Sequence, residues 1–193
     1  MVEVDPQNYW LFGYGSLIFK EPPHVVERVP GFVTGSVRRF WQSSIDHRGV
    51  PEKPGRVVTL ITTEYWKTLD DPHPYGHDDV VSGMAYRIDP EYAEEVKAYM
   101  DWREKNGYVD IELDFHTREG RHWKCITYVG TPGNYAFVGP EDPEALARRI
   151  AECEGPSGRN IDYLVKLNNA VIELCGKEDK HISDLVRRAE KYL

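Results

Sequence analysis

The chain has 193 residues, 40% of them hydrophobic, and carries a formal net charge of −8 at pH 7. This length favours one domain around one sizeable core, and the acidic balance argues against a nucleic-acid partner, whose phosphates need a basic surface. No apolar run reaches the length of a membrane span, about 18 residues, and no pattern indicates a secretion signal. We therefore expect a cytoplasmic protein without a membrane partner, with residues 1–193 forming a single domain.

The cysteines are Cys125, Cys153 and Cys175, and no two of them have C-x-x-C spacing. An odd number without a paired pattern argues against a disulfide scaffold and fits a reducing compartment. We expect each of them to be a small core residue.

Runs rich in Val, Ile, Thr and aromatic residues dominate the first half of the chain. They predict strands at residues 10–17, 31–41, 56–62 and 80–88. Further on, residues 108–115 alternate between apolar and charged side chains, and the turn sequence TREGR follows. This alternation is typical of a half-buried strand, so residues 108–129 are predicted to form an antiparallel hairpin.

The segment 64–79 is irregular and proline-rich, which predicts a surface loop. His73 and His77 within it are four residues apart, but Pro74 and Gly76 prevent the helix that would aim both at one ion. We therefore expect no metal site.

Helix signals concentrate after residue 88. An Asp-Pro pair at 89–90 and an Asn-Gly pair at 106–107 predict the start and end of a first helix. Further helices are predicted from Asp142 to Gly155, at about 160–174 and at about 182–192. The sequence GPSGRN predicts a helix stop and restart, with Asn160 or Ser157 as N-cap. This order of elements favours an α+β fold, a curved antiparallel or mixed sheet flanked by helices with a helical C-terminal quarter.

The stretch FGYGSL, residues 12–17, ends the first predicted strand with two glycines around a tyrosine. It lacks the third glycine of the dinucleotide-binding G-x-G-x-x-G pattern and the second glycine of the serine-hydrolase G-x-S-x-G pattern. Glycine at a strand end permits close backbone approach and leaves amide N–H groups free to face a ligand. The stretch therefore indicates an anion-binding loop, with a simple turn or β-bulge as the alternative.

Glu104 ends the apolar stripe of the first predicted helix. At 100° per residue, it falls within an arc of about 80° with Ala93, Val96 and Met100. Carboxylates are rarely buried unless paired or functional, and burial would raise the pKa toward the range of about 6 to 7 that suits a general base. The alternative is a solvent-exposed helix end at which Glu104 pairs with a lysine.

Residues 35–56 form a concentrated basic segment in this acidic chain. Its cations are Arg38, Arg39, Arg48, Lys53 and Arg56. Guanidinium groups pair bidentately with carboxylates, which favours a small carboxylate substrate over aromatic stacking and phosphate contacts with a nucleic acid. A solvated strand face is a third interpretation.

Five stretches together carry a resemblance to a known family: FGYGSLIF, RRFWQSSIDHRGVPEKPGRVVTL, MDWREKNGY, AFVGPE and GPSGRNIDYLVKL. In this order they resemble the ChaC family of glutathione-specific γ-glutamylcyclotransferases, nearly end to end. The resemblance implies a compact α+β fold with a small barrel-like mixed sheet, no cofactor, and cleavage of glutathione into 5-oxoproline and Cys-Gly. The segment 64–79 matches no fixed motif of the family.

The resemblance also implies roles for particular residues. It makes Glu104 the catalytic acid/base, and it makes the loop that holds the γ-glutamyl group out of Phe12, Gly13, Tyr14, Gly15, Ser16 and Leu17. Because the α-amine attacks a carbonyl of its own molecule, Glu104 would take a proton from that amine and return it to the leaving amine. We further expect Arg39 to pair with a substrate carboxylate and Tyr108 to make a hydrogen bond near Glu104.

Three alternatives remain open from the sequence. The same chemistry can serve other γ-glutamyl amino acids or amines, and a non-catalytic binding or regulatory protein can keep the fold. Loss of Glu104 or of the glycine loop would indicate the non-catalytic case, and both are present. A nucleic-acid module built on the basic segment is the third alternative. We expect a monomer that acts on a small molecule.

Overall fold

The computed structural model describes residues 2–73, 80–104 and 107–193. Its strands are β1 (Trp10–Gly13), β2 (Val25–Thr34), β3 (Ser36–Ser44), β4 (Gly55–Thr62), β5 (Val80–Ile88), β6 (Tyr108–His116), β7 (His122–Gly130), β8 (Glu154–Gly155) and β9 (Gly158–Arg159). Its helices are α1 (Thr63–Trp66), α2 (Ala93–Arg103), α3 (Pro143–Glu152), α4 (Asn160–Cys175) and α5 (Lys180–Ala189). Short 3₁₀ turns occupy Pro6–Asn8, Ser16–Ile18, Pro90–Tyr92 and Glu190–Tyr192.

Five strands close into a barrel in the order β1-β5-β2-β6-β7. Strand β1 pairs antiparallel with β5 and parallel with β7, where Leu11 lies opposite Ile126, so the sheet is mixed. The hairpins β3-β4 and β8-β9 form separate two-stranded sheets. The predicted α+β class, the barrel-like mixed sheet and the helical C-terminal quarter are confirmed.

The hairpin of β6 and β7 is confirmed, with antiparallel pairing from Tyr108 opposite Gly130 to His116 opposite His122. The single strand predicted at 31–41 is wrong. Two strands, β2 and β3, meet there at Gly35, whose φ of 69° lies in the left-handed region that glycine adopts readily. The chain turns at Gly35, leaves the barrel and forms the β3-β4 hairpin.

The core has two parts that lie on opposite faces of β1. One joins the barrel to α3, α4 and α5 and includes the fully buried Phe12 and Leu164. The other packs α2 against β1 and β5 and includes Leu11 and Met100. Neighbours Leu11 and Phe12 fall in different clusters because successive side chains of a strand point to opposite faces. The strand therefore anchors α2 on one side and the C-terminal helices on the other.

All three cysteines are free and buried, as predicted for small core residues. The helix start predicted at residue 142 is confirmed, and at the start predicted at 89–90 a 3₁₀ turn leads directly into α2. Asp89 accepts a hydrogen bond from the amide of Glu91, and Asp142 accepts from the amides of Glu144 and Ala145. In the part of the chain that the structure describes, no helix is long and apolar enough to cross a membrane.

The predicted cap at Asn160 or Ser157 is wrong, because Arg159 is the N-cap of α4. Asn160 is instead completely buried inside the first turn of α4. Its Nδ2 donates to the carbonyl of Arg56 at 2.7 Å, and its Oδ1 accepts from the amide of Arg56 at 2.7 Å. This pair of bonds fastens α4 to β4.

The prediction of a surface loop at 64–79 holds for most of its described part, where residues are largely exposed, but it is wrong for a short helix and for two buried side chains. Helix α1 begins at Thr63, and Asp71 and His73 are buried, each held by a charged partner from another element. Residues 74–79, including His77 and the glycine and proline beside it, lie outside the described residues. The same holds for 105–106, where the first predicted helix was expected to end.

Replacing Asn160 with Ala should lower the free energy of unfolding by about 2–6 kcal/mol. The substitution leaves the buried amide and carbonyl of Arg56 without partners, at roughly 1–3 kcal/mol for each group. Chemical denaturation measures the loss. Asn169→Ala, an exposed change on the same helix, is the control and should cause no loss. Equal stability of the two variants would contradict this role of Asn160.

Candidate active site

The glycine stretch forms a tight turn at the end of β1. Its backbone is fixed by side chains that reach it from other strands. Arg38 Nη1 donates to the carbonyl of Tyr14 at 2.7 Å, and the hydroxyl of Tyr86 donates to the carbonyl of Leu17 at 2.6 Å. The hydroxyl of Tyr14 in turn donates to the carbonyl of Tyr128 at 2.6 Å. The turn is therefore rigid, as a preorganised binding loop must be.

Two backbone amides of this turn are available to a ligand. Within the described part of the chain, the N–H groups of Gly15 and Ser16 donate to no protein acceptor. Position 15 also needs glycine, because a Cβ there would lie 2.9 Å from Val58 Cγ2 and 3.3 Å from the Tyr163 hydroxyl oxygen. A side chain at this position would therefore push against two residues of the pocket wall.

Glu104 follows the last residue of α2, and its amide donates to the carbonyl of Met100 at 2.9 Å. The predicted apolar stripe is confirmed, since Ala93, Val96 and Met100 are completely buried. The Glu104 side chain is 19% exposed, and its Oε1 lies 3.3 Å from Arg103 Nε. Arg103 Nη2 also donates to the hydroxyl of Ser16 at 2.9 Å. Arg103 thus links the carboxylate to the glycine turn.

Burial raises the pKa of Glu104 above its ordinary value of 4.5. The positive charge of Arg103 opposes this shift, and the negative charge of Asp46 adds to it. Burial also raises the pKa of Tyr14 and Tyr108 well above 10.0, so both phenols stay protonated. The site therefore combines a carboxyl group suited to proton exchange with neutral hydroxyl groups.

A pocket with about 360 Å³ of empty space brings these groups together. It is lined by seven residues predicted from the sequence, namely Phe12, Tyr14, Gly15, Ser16, Leu17, Glu104 and Tyr108, and by Val58, Thr127, Tyr128 and Tyr163. Gly13 ends β1 beside the pocket, outside its lining. Seven of these residues have aromatic or aliphatic side chains, and four of the seven are tyrosines, whose hydroxyl groups are polar.

The pocket opens into a wider cleft of about 1140 Å³, with which it shares Ser16, Glu104, Tyr108 and Tyr163. The cleft is also lined by the basic side chains of Lys20, His47, Arg48 and Arg103 and by the acidic side chain of Asp46. Trp102, which is 65% exposed, stands at its edge. The cleft thus carries an excess of basic groups over acidic ones.

The structure does not bring Arg39 to this site. Its guanidinium Nε donates to Asp71 Oδ2 at 2.8 Å, and its side chain is 3% exposed in a different pocket. Tyr108 does lie beside Glu104 in the pocket lining, but its hydroxyl donates to the carbonyl of Val58 at 3.1 Å. The Tyr108 hydroxyl therefore bonds to the backbone of β4 and not to the Glu104 carboxylate.

The basic segment as a whole is mostly internal. Arg38 pairs with Asp179 at 2.9 Å, Arg56 pairs with Glu141, and Lys53 lies 3.5 Å from Glu152. Arg38, Arg39 and Arg56 are each buried, so the interpretation as a solvated strand face is wrong for them. Of the five cations, Arg48 lines the cleft.

Sequence reasoning missed several residues of the pocket and the cleft. Thr127, Tyr128 and Tyr163 lie in apolar runs of sequence, which predict ordinary core residues. Only the fold shows that these three residues line the pocket. Arg103 was visible as the neighbour of Glu104, but its link to Ser16 spans 87 residues of sequence. Across residues 2–73, 80–104 and 107–193, no group of three or more His, Cys, Asp or Glu side chains is arranged to hold a metal ion.

Comparison with known proteins gives concordant matches in sequence and in structure. The family model described as ChaC-like protein matches residues 9–192. The glutathione-specific γ-glutamylcyclotransferase of Saccharomyces cerevisiae is 37% identical over 97% of this chain and 98% of its own. The human glutathione-specific γ-glutamylcyclotransferase 1 is 37% identical over 94% of this chain and 78% of its own. The crystal structure of a selenomethionine-labelled, glutathione-specific cyclotransferase from yeast matches with a TM-score of 0.86 and 36% identity, covering 96% of each chain.

Glu104→Gln should make the folded chain more stable at neutral pH. Because the pKa of Glu104 is raised on folding, the folded state holds a proton more tightly, and wild-type stability falls as pH rises from 4.5 through the folded pKa. Glutamine removes that cost, so the two chains should differ at pH 7 and converge below about pH 4. Denaturant unfolding at both pH values measures this difference.

Glu52→Gln, which changes an exposed carboxylate in a loop, is the matched control for the lost charge. It should alter the free energy of unfolding by no more than about 0.5 kcal/mol at either pH. A Glu104→Gln chain that is less stable than wild type at pH 7 would show that the carboxylate is a net stabilising group.

Proposed function

Since the chain belongs to the ChaC-like family, we propose that it is a glutathione-specific γ-glutamylcyclotransferase that releases 5-oxoproline and Cys-Gly. One observation carries the proposal: the Glu104 carboxyl group, with its raised pKa, lines the same pocket as the glycine turn. The relatives named glutathione-specific γ-glutamylcyclotransferase align over nearly all of this chain. A non-catalytic role would leave the buried carboxylate without a purpose.

The reaction needs no nucleophile from the protein. In glutathione the α-amine and the γ-glutamyl carbonyl belong to one molecule. Attack of the amine nitrogen on the carbonyl carbon closes a five-membered lactam. A new C–N bond forms to the α-nitrogen, and the C–N bond to the cysteinyl nitrogen breaks. Intramolecular reactions in a well-held geometry reach effective molarities of about 10⁵ M or more. The main task of the pocket is therefore to fold the γ-glutamyl group into the reactive conformation.

Proton transfer is the remaining obstacle. An α-amine with a pKa of about 8 is mostly ammonium at neutral pH and cannot attack a carbonyl. We assign Glu104 as the base that removes this proton and as the acid that gives it to the departing cysteinyl nitrogen. The second proton, which the α-nitrogen loses when the lactam forms, passes to the amine of the released Cys-Gly, which leaves as an ammonium group. One group can serve both steps because its raised pKa lies closer to those of its partners.

The glycine turn would supply the electrostatic part of catalysis. The free amides of Gly15 and Ser16 can bind the α-carboxylate of the substrate or the oxyanion that forms on the carbonyl. Phe12, Tyr14 and Leu17 form apolar and aromatic walls that exclude water from the lactam-forming atoms. Arg39 has no part in this proposal, because its guanidinium pairs with Asp71 outside the pocket.

Other features of the proposal rest on weaker observations. A cytoplasmic site of action is supported by three buried, free cysteines, which fit a reducing compartment. A monomeric state, a single domain over residues 1–193 and the lack of a nucleic-acid partner stay predictions.

Glu104→Gln should slow turnover strongly while the chain stays folded. Wild-type protein incubated with reduced glutathione should release 5-oxoproline and Cys-Gly in equal amounts, measured by mass spectrometry. Glutamine is nearly isosteric but cannot accept the proton, so the rate should fall by about 10²- to 10⁴-fold. Circular dichroism of the variant should match wild type.

Glu52→Gln serves again as the control and should turn over at the wild-type rate, because its side chain lies outside the pocket. Release of glutamate in place of 5-oxoproline would indicate hydrolysis by water. That product, or near wild-type turnover by the Glu104→Gln chain, would refute the assignment.

A further inference from the structure

The cleft outside the pocket must hold the part of the substrate that leaves. This inference rests on the proposed function: with the γ-glutamyl group in the pocket beside Glu104, the cysteinyl-glycine half extends into the cleft. That half ends in a glycyl carboxylate, and its charge needs a partner when water is displaced. The residue that meets this carboxylate would decide between glutathione and γ-glutamyl compounds without it.

Arg48 differs from the other cations of the basic segment. Each of the other four lies within ion-pair distance of a carboxylate from elsewhere in the chain. Among the described residues, Arg48 pairs with no acidic side chain. It is half-buried and lines the cleft, so its charge is partly desolvated and faces the space the substrate would occupy.

Its guanidinium group is nevertheless held in place. Nη1 donates to the carbonyl of Arg159 at 3.1 Å, and the guanidinium carbon lies 5.7 Å from the centre of the Tyr163 ring. Tyr163 lines both the pocket and the cleft, which places Arg48 near the passage between them. Arginine has five N–H donors, so one bond to Arg159 leaves enough for a bidentate pair with a carboxylate.

The loop that carries Arg48 is also rigid. The amide of Ser157 in the β8-β9 turn donates to the carbonyl of His47 at 2.9 Å. A Cβ at Gly155 would lie 2.5 Å from the same carbonyl oxygen and 2.5 Å from the amide nitrogen of Gly49, so the two backbones are in direct contact. A guanidinium fixed before binding loses little side-chain freedom when the ligand arrives.

We propose that Arg48 binds the terminal glycyl carboxylate and is the specificity-determining residue for glutathione among γ-glutamyl compounds. Asp46 lines the same cleft and would repel that carboxylate from its own side. Selection therefore comes from a directed pair at Arg48 and not from diffuse positive charge. The pair is made equally in the ground state and in the transition state, so it acts mainly on KM.

The test compares two chains with two substrates: wild type and Arg48→Gln, each with glutathione and with its C-terminal amide, which lacks the charge. Wild type should prefer glutathione by about 10- to 100-fold in kcat/KM, the range of one charge-assisted hydrogen-bonded pair. Arg48→Gln should lose that factor on glutathione, mainly in KM, and should keep the wild-type rate on the amide. Arg48→Lys should recover part of the preference.

Lys53→Met is the matched control, because it removes one positive charge from the same segment and Lys53 lies outside the lining of the cleft. It should keep the preference of wild type. An equal loss on both substrates in Arg48→Gln would overturn the inference, since Arg48 would then act only by supporting Tyr163. Wild type that fails to distinguish the substrates would also overturn it, with the cyclotransferase activity intact. If wild type released 5-oxoproline from neither substrate, the proposed function itself would be refuted.

Discussion

The site depends on one unfavourable burial, that of the Glu104 carboxyl group at the end of α2. The helix can hold this group in place because its apolar stripe packs against β1 and β5 through fully buried side chains. Arg103 offsets part of the cost by lying beside the carboxylate and bonding to Ser16. Burial destabilises the ionised form of the group, which makes it a better proton acceptor. The same burial lowers the stability of the folded chain, a cost that is common at active sites.

The barrel brings this helix end to the glycine turn. Strand β1 contributes to both, because Leu11 packs under α2 while Phe12, on the other face, leads directly into the turn. Tyr86 of β5 and Arg38 of β3 then donate to carbonyls of the turn, and the Tyr14 hydroxyl of the turn donates to the backbone of β7. The amides of Gly15 and Ser16 donate to no acceptor among the described residues, and both residues line the pocket.

The pocket and the cleft differ in chemistry in a way that suits the two halves of glutathione. The pocket has aromatic walls and one acid/base group, as ring closure away from water requires. The cleft has several basic groups and an exposed tryptophan at its edge. Arg48 lies near the passage between them, supported on Tyr163, which belongs to both.

Local patterns in the sequence predicted much of this arrangement. Alternation marked the β6-β7 hairpin, and the 3.6-residue period marked Glu104 as the end of a buried stripe, because both signals depend on neighbouring residues only. Predictions failed where distant partners decide. Arg39 is held by Asp71 and Arg38 by Asp179, 32 and 141 positions away, and no local pattern encodes either pair. Asparagine is a residue type that favours N-caps, but Asn160 is buried against β4 and bonds to the backbone of Arg56 instead.

The most direct test of this account is the pKa of the Glu104 carboxyl group, measured by carbon-detected NMR on protein labelled in its glutamate side chains. The signal missing from the Glu104→Gln spectrum identifies the group. We predict that it titrates above 4.5. A midpoint at or below that value would mean that the carboxylate is well solvated or firmly paired, and it would contradict the role of Glu104 as the proton acceptor.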